Sequence, residues 1–319
     1  MNRSCRTTCL LIVIFVISAC GPSPTPEPLP AREERIPLGA FKVTSARDPC
    51  PPLMHSDEWT HPIPLEGAVN TAGAEDSPFI LPDGKTLYFF FTPDANVPFA
   101  EQAQDGVTGI YVSHKDGDRW GTAERVLLQK PGKLALDGCP FVQGETMWFC
   151  SAREGYAGVH HFTAELENGK WQKWQDTGQA FPEVYQVGEL HITAGSDELY
   201  FHSDRAGGAG GFDLWVSRRE GNAWGAPQNI HALNTAETEG WPFVTQDGRE
   251  LWYTGFHQGT PAIWRSLRTA DGWSIPELIV SQFAGEPTLD AESNLYLVHH
   301  FYLDGKQIEA DIYVAYKKG

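Results

Sequence analysis

Short apolar runs punctuated by polar turns recur along the chain, at spacings of 45 to 62 residues from Ser77 onward. The copies begin at Ser77-Pro78-Phe79, Cys139-Pro140-Phe141, Glu189-Leu190-His191, Trp241-Pro242-Phe243 and Glu286-Pro287-Thr288. An aromatic strand follows each: Leu87-Tyr88-Phe89, Met147-Trp148-Phe149, Leu199-Tyr200-Phe201, Leu251-Trp252-Tyr253 and Leu295-Tyr296-Leu297. The turns between them, such as Pro82-Asp83-Gly84 and Asp247-Gly248, use residues that tolerate left-handed backbone and predict hairpins. No segment of the repeat has a helical period.

A third strand is predicted at Ile110-Tyr111-Val112, His160-His161-Phe162, Leu214-Trp215-Val216, Ile263-Trp264-Arg265 and Ile312-Tyr313-Val314. A tryptophan then precedes an outer strand at Trp120, Trp171, Trp224 and Trp273, with one copy out of order at Trp59. The segment from Trp59 to Asn70-Thr71 repeats that from Trp224 to Asn234-Thr235, yet no first three strands precede it. It is therefore assigned to the last repeat, which ends at Val314 with only three. Repeats of this length with four strands each are propeller blades. The expected fold is all-β: a five-bladed β-propeller closed by an N-terminal strand that completes the last blade and removes its free edge.

The stretch Leu199-Tyr200-Phe201-His202-Ser203-Asp204-Arg205-Ala206-Gly207-Gly208, with Phe212-Asp213-Leu214-Trp215, Asn234-Thr235 and Thr245-Gln246-Asp247-Gly248, resembles the PD40 or WD40-like repeat. The resemblance is close in the third and fourth copies and covers about residues 57–319. It implies a propeller similar to that of the periplasmic Tol-system protein and of many envelope lipoproteins, and it identifies a fold rather than an activity.

The N-terminus reads differently. Arg3 and Arg6, an apolar run over residues 10–17, and Ser18-Ala19 before Cys20 have the layout of an export signal. Ile17-Ser18-Ala19-Cys20 resembles the bacterial lipobox, which implies lipid on Cys20. Alternate prolines from Pro22 to Pro30 predict an extended spacer. The expected organisation is a signal at 1–19, a lipid-anchored tether and irregular lead-in at 20–52, and the propeller at 53–319. Residues before Leu53 are expected to be dispensable for folding. Attachment to a membrane would come through the lipid alone, since the apolar run falls short of the roughly 20 residues a spanning helix needs.

Loss of Arg3 and Arg6 with the signal takes the net charge from −17 to −19. That repels phosphate backbones, so nucleic acid is not an expected partner. Three cysteines remain after removal of the signal and lipidation of Cys20. Cys139 and Cys150 face each other across a predicted hairpin; a Cys139–Cys150 disulfide is one pairing, and Cys50 with either is the other.

Candidate chemistry lies where the loops entering the inner strands meet the ends of the second strands. The first group holds Glu75 with Asp76, Asp137, Glu189, Glu239 and Glu286, the second Arg153, Arg205 and His257. Paired carboxylates at a channel mouth suit glycoside chemistry or cation binding. Equally, an acid recurring at one repeat position suits a structural role. His191 stands where the repeat loses its Pro-Phe, and is read as a core histidine or a site residue. No zinc spacing motif, phosphate loop or nucleophile elbow occurs, so no metal and no cofactor are expected. The loop between Thr92 and Thr108 is either a lid or a tolerated insertion.

The leading expectation is a monomeric, exported, lipid-anchored binding propeller of the bacterial cell envelope, with a protein, peptide or glycan ligand. The alternative is a glycan-acting hydrolase or lyase using two of the mouth carboxylates.

Overall fold

The computed structural model describes residues 29–130, 132–177 and 187–319; the expected signal, Cys20 and most of the proline spacer lie outside them. The described chain is all-β, apart from a short helix at Phe99–Gln102 and a 3-10 turn at Arg32–Arg35. Among the described residues the strands form four sheets, the largest joining the first and last of five antiparallel groups in chain order. The inner strands are Ala74–Ile80, Ala135–Gln143, Val187–Ile192, Gly240–Val244 and Ala284–Leu289. Each pairs with a second strand: Thr86–Thr92, Thr146–Arg153, Glu198–Ser203, Glu250–His257 or Leu295–Leu303. The third strands, Gly109–Asp116, His160–Glu167, Asp213–Glu220, Thr260–Thr269 and Lys306–Ala315, follow in register.

The outer strand of the fifth group comes from the N-terminus. Ile63 pairs with Val314 and Pro64 with Tyr313, and Trp59 bridges to Lys317. Two side chains repeat the geometry of the internal copy. The Asn234 amide accepts from Leu214 N (2.8 Å) and donates to Leu214 O (2.9 Å) on the third strand of its group. Asn70 grips Ile312 in the same two-way manner, at 2.9 Å for both bonds. A planar amide that satisfies both the N–H and the C=O of one strand residue fixes the register of the segment carrying it.

The tryptophans link neighbouring groups. Trp171 meets Tyr88 edge-on and Trp273 meets Tyr200, each reaching the second strand of the preceding group. Trp120 reaches Tyr296, which joins the first group to the fifth, and Trp59 reaches Trp252 in the fourth. Trp59 is 1% exposed, with the Arg265 guanidinium over its ring. A single parallel bridge between Ala74 and Ala310 also connects the first and fifth groups.

The lead-in differs from the expectation that residues before Leu53 are dispensable. Arg32 is 4% exposed and donates to Glu75 Oε1 (3.1 Å) and to the Val69 carbonyl. Lys42 reaches both Glu309 and Asp311, and Asp48 lies 3.0 Å from His299. Leu53–Met54 pairs with Glu277–Ser281 as an extra edge strand on the fourth group. The packed unit therefore begins near Arg32. Cys139 and Cys150 form a disulfide with Cα atoms 5.5 Å apart, and Cys50 is exposed and unpaired.

Proteins beginning at residues 29, 53 and 71 should unfold in that order of decreasing thermal midpoint. The second leaves Glu75 buried without Arg32, a loss of about 3 to 5 kcal/mol for a broken buried pair. The third also loses Trp59, again about 3 to 5 kcal/mol. Equal midpoints for the first two would show that the lead-in carries no stability.

Candidate functional site

Every inner strand breaks register within one residue of the same repeat position: after Asp76, Gly138, Gly240 and Gly285, and in the third strand one residue earlier, after Val187. Such a bulge re-aims the side chain it carries, and it tolerates proline because the ladder hydrogen bond is already lost. Ser77, Cys139, Trp241 and Glu286 occupy it with positive φ, between 46° and 57°. The five bulge residues, with Glu189 in the third strand, converge on one cavity of about 40 Å³.

This register divides the five mouth acids that the sequence grouped together. Glu75, Asp137 and Glu239 lie two residues before the bulge and are buried in structural bonds. Glu239 accepts from Thr235 N (2.8 Å) and Thr235 Oγ1 (2.6 Å), and Glu75 accepts from Thr71 N and Oγ1 at the same distances. Burial raises the Glu75 carboxyl to about 7, against the opposing pull of Arg32. Asp137 Oδ1 accepts from Arg153 Nη2 (2.7 Å) and Ser151 Oγ (2.6 Å). The candidate cations serve packing as well: Arg153 lies 4.1 Å over the Phe162 ring and Arg205 4.8 Å over Phe201. His257 packs its ring against His55 and Trp264.

Glu189 and Glu286 sit at the bulge position itself and do meet. Ser77 Oγ donates to Glu189 Oε1 (2.6 Å), while Ser77 N donates to Glu286 Oε2 (2.7 Å). Burial pushes Glu189 up to about 8, opposed by the Ser77 hydrogen bond and reinforced by Asp76. Burial, then Asp76 and Glu189, also hold Glu286 well above the usual carboxylate range.

Below this cavity Phe141 and Phe243 pack on His191 at ring distances of 4.7 and 4.6 Å, and Phe79 packs on Phe141 at 5.2 Å. Burial lowers His191 to about 3, so the ring is neutral and accepts from Val244 N. His191 is thus a satisfied core histidine. The same four rings border a second cavity of about 420 Å³ at the hairpin end of the inner strands. Leu81, Val142, Ile192 and Leu289 continue its apolar wall, and Asp83, Gln143 and Gln246 stand at its rim. No sequence motif marks this end as a site, although the hairpin turns at Pro82-Asp83 and Gly144 border the opening. The loop between Thr92 and Thr108 is held by its own bonds, Gln102 to Val97 O and Asp105 to the Val107 and Thr108 amides.

No family model matches the chain, and no curated protein matches it. Solved structures do. The endo-arabinase from Bacteroides thetaiotaomicron aligns with a TM-score of 0.51 at 15% identity, over 80% of this chain and 97% of that one. Bacteroides ovatus Xyloglucan PUL GH43B aligns at 0.50 and 16% identity, over 79% and 54%. The fold is that of a β-propeller. TolB from Acinetobacter baumannii aligns at 0.44 with 12% identity over 77% of this chain, which spans 55% of that one. At these identities the likeness concerns the fold alone, and the propeller's own side chains carry the functional argument.

Arg153→Ala should destabilise the propeller by about 3 to 5 kcal/mol, because Asp137 would stay buried as an unpaired charge. Urea unfolding measures this, and an unchanged midpoint would show that the pair does not hold the second blade.

Proposed function

We propose that the chain is a five-bladed propeller, closed by its N-terminal strand, that acts as a non-catalytic binding module of the cell envelope, tethered by lipid on Cys20. The pairing of Ile63–Pro64 with the last third strand and the contacts of Trp120 and Trp59 across successive groups support the closure. The lipobox-like Ile17-Ser18-Ala19-Cys20 and the proline spacer support the tether.

The single observation favouring binding over catalysis is the use to which the mouth acids are put. Three of the five are bonded within the fold, and the remaining two, Glu189 and Glu286, border a space of about 40 Å³. Ligand sites run to several hundred Å³, roughly 300 to 1,000. A sugar ring between two carboxylates does not fit there. The hairpin-side funnel, at about 420 Å³, is in that range and presents neither a carboxylate pair nor a nucleophile. Its aromatic floor and polar rim suit an apolar side chain of a peptide segment, with the exposed Gln246 amide at the rim in reach of its main chain. The ligand face thus moves from the mouth, where Arg32, Lys42 and Asp48 pack, to the opposite end.

Peptide and glycan arrays probed with the Cys20→Ser protein test this reading. Peptides carrying apolar side chains should bind, Ala194→Trp should weaken them at least about tenfold by filling the funnel, and Glu189→Gln should leave them unchanged. Cleavage of an array glycan, lost in Glu189→Gln, would establish the hydrolase instead. In cells, Cys20→Ser should move the protein out of the membrane fraction while leaving its thermal midpoint unchanged; sedimentation with membranes after a high-salt wash would contradict the lipid anchor.

A further inference from the structure

The acids of this propeller are treated unequally. Glu75 has Arg32 and Asp137 has Arg153. Among the described residues Asp76, Glu189 and Glu286 have no ion-pair partner, and the charged groups acting most strongly on Glu286 are Asp76 and Glu189, both acidic. Carboxylates gathered in a low-dielectric space are costly unless protons or a cation neutralise them. A proton would answer the charge and let Glu286 hydrogen-bond to Asp76; a cation would in addition engage the imidazole beside them.

That geometry has three further parts. One ligand atom each from Asp76, Glu286 and His300 lie within 4.8 Å of one another. Glu189 Oε2 and His300 Nδ1 are buried polar atoms with no hydrogen-bond partner, an arrangement that a satisfied structural cluster avoids. Finally, Glu286 also borders, with Glu189, a cavity of about 40 Å³, more than the roughly 10 to 15 Å³ that one water needs, so the cluster opens onto space on that side.

We propose that Asp76, Glu286 and His300 form a divalent-metal site at the propeller mouth, with Glu189 as the fourth group in reach and Ser77 holding the two glutamates in place. The mixed imidazole and carboxylate set suits zinc or manganese, whereas calcium takes oxygen ligands. Ligand atoms roughly 2.1 Å from one zinc ion stand up to about 4 Å apart, so modest side-chain rotation closes the present arrangement. Asp76 comes from the first inner strand, and Glu286 and His300 from the last blade. A bound ion would therefore tie the first blade to the last, at the seam where the Trp120–Tyr296 contact also lies. No spacing motif marks this site, because its ligands are scattered over three strands. The inference is independent of the binding reading, since the funnel lies beyond the aromatic layer.

Calorimetry on the Cys20→Ser protein, stripped with EDTA and dialysed, tests it with zinc, manganese and calcium chlorides in separate titrations. Zinc or manganese should bind at one saturable site and raise the thermal midpoint, as any ligand selective for the folded state does. Asp76→Asn, Glu286→Gln and His300→Gln should each weaken binding at least about tenfold and abolish the rise. Near-ultraviolet circular dichroism identifies any variant that does not fold; the partly exposed Asp76 gives the mildest change. Absence of zinc and manganese binding at millimolar concentration overturns the proposal. Undiminished binding in folded Asp76→Asn, or binding of calcium alone, overturns it as well.

Discussion

The bulge in each inner strand is the constraint on which the rest of the molecule depends. A strand in unbroken register would direct alternate side chains to fixed faces. By inserting a residue at Ser77, Cys139, Glu189, Trp241 and Glu286, the chain instead brings one side chain from every repeat toward a common cavity. Two residues further on, Phe79, Phe141, His191 and Phe243 pack into the layer that separates the small acidic space from the larger funnel. Two residues earlier, Glu75, Asp137 and Glu239 turn into the structure. One backbone irregularity thus sorts the acids into structural and cavity-lining sets.

This sorting explains what the sequence did and did not disclose. Strand order was legible because aromatic residues hold the same places in every copy and the turns carry Gly, Asp, Asn or Ser. The displaced copy at Trp59 was legible for the same reason, and Asn70 reproduces the bonds of Asn234 atom for atom. The acids were not separable, because Glu75 and Glu189 are both acidic residues entering an inner strand, and only the register distinguishes their positions relative to the bulge. Nor was the lead-in legible. Its contacts are made by isolated side chains, Arg32, Lys42 and Asp48, in a segment with no period to read.

The proposed binding role rests on how little of the polar chemistry at the mouth remains free. The mouth holds the charge but little room, while the funnel has the room and an apolar wall. Solved arabinase-type propellers share the fold with this chain, and the difference between a hydrolase and a binding module rests on which side chains the inner strands deliver. Here the Asn-Thr…Glu pattern at Asn70-Thr71/Glu75 and Asn234-Thr235/Glu239 spends its acid on joining one blade to the next.

The central claim is that the N-terminal segment completes the last blade, and hydrogen exchange tests it most directly. Asn70→Ala removes the side chain that bonds both the N–H and the C=O of Ile312. Exchange over residues 306–315 should then accelerate, while residues 213–220, gripped by Asn234, keep their protection. Unchanged exchange at Ile312 would contradict the account, because its amide would then owe its protection to something other than the N-terminal strand.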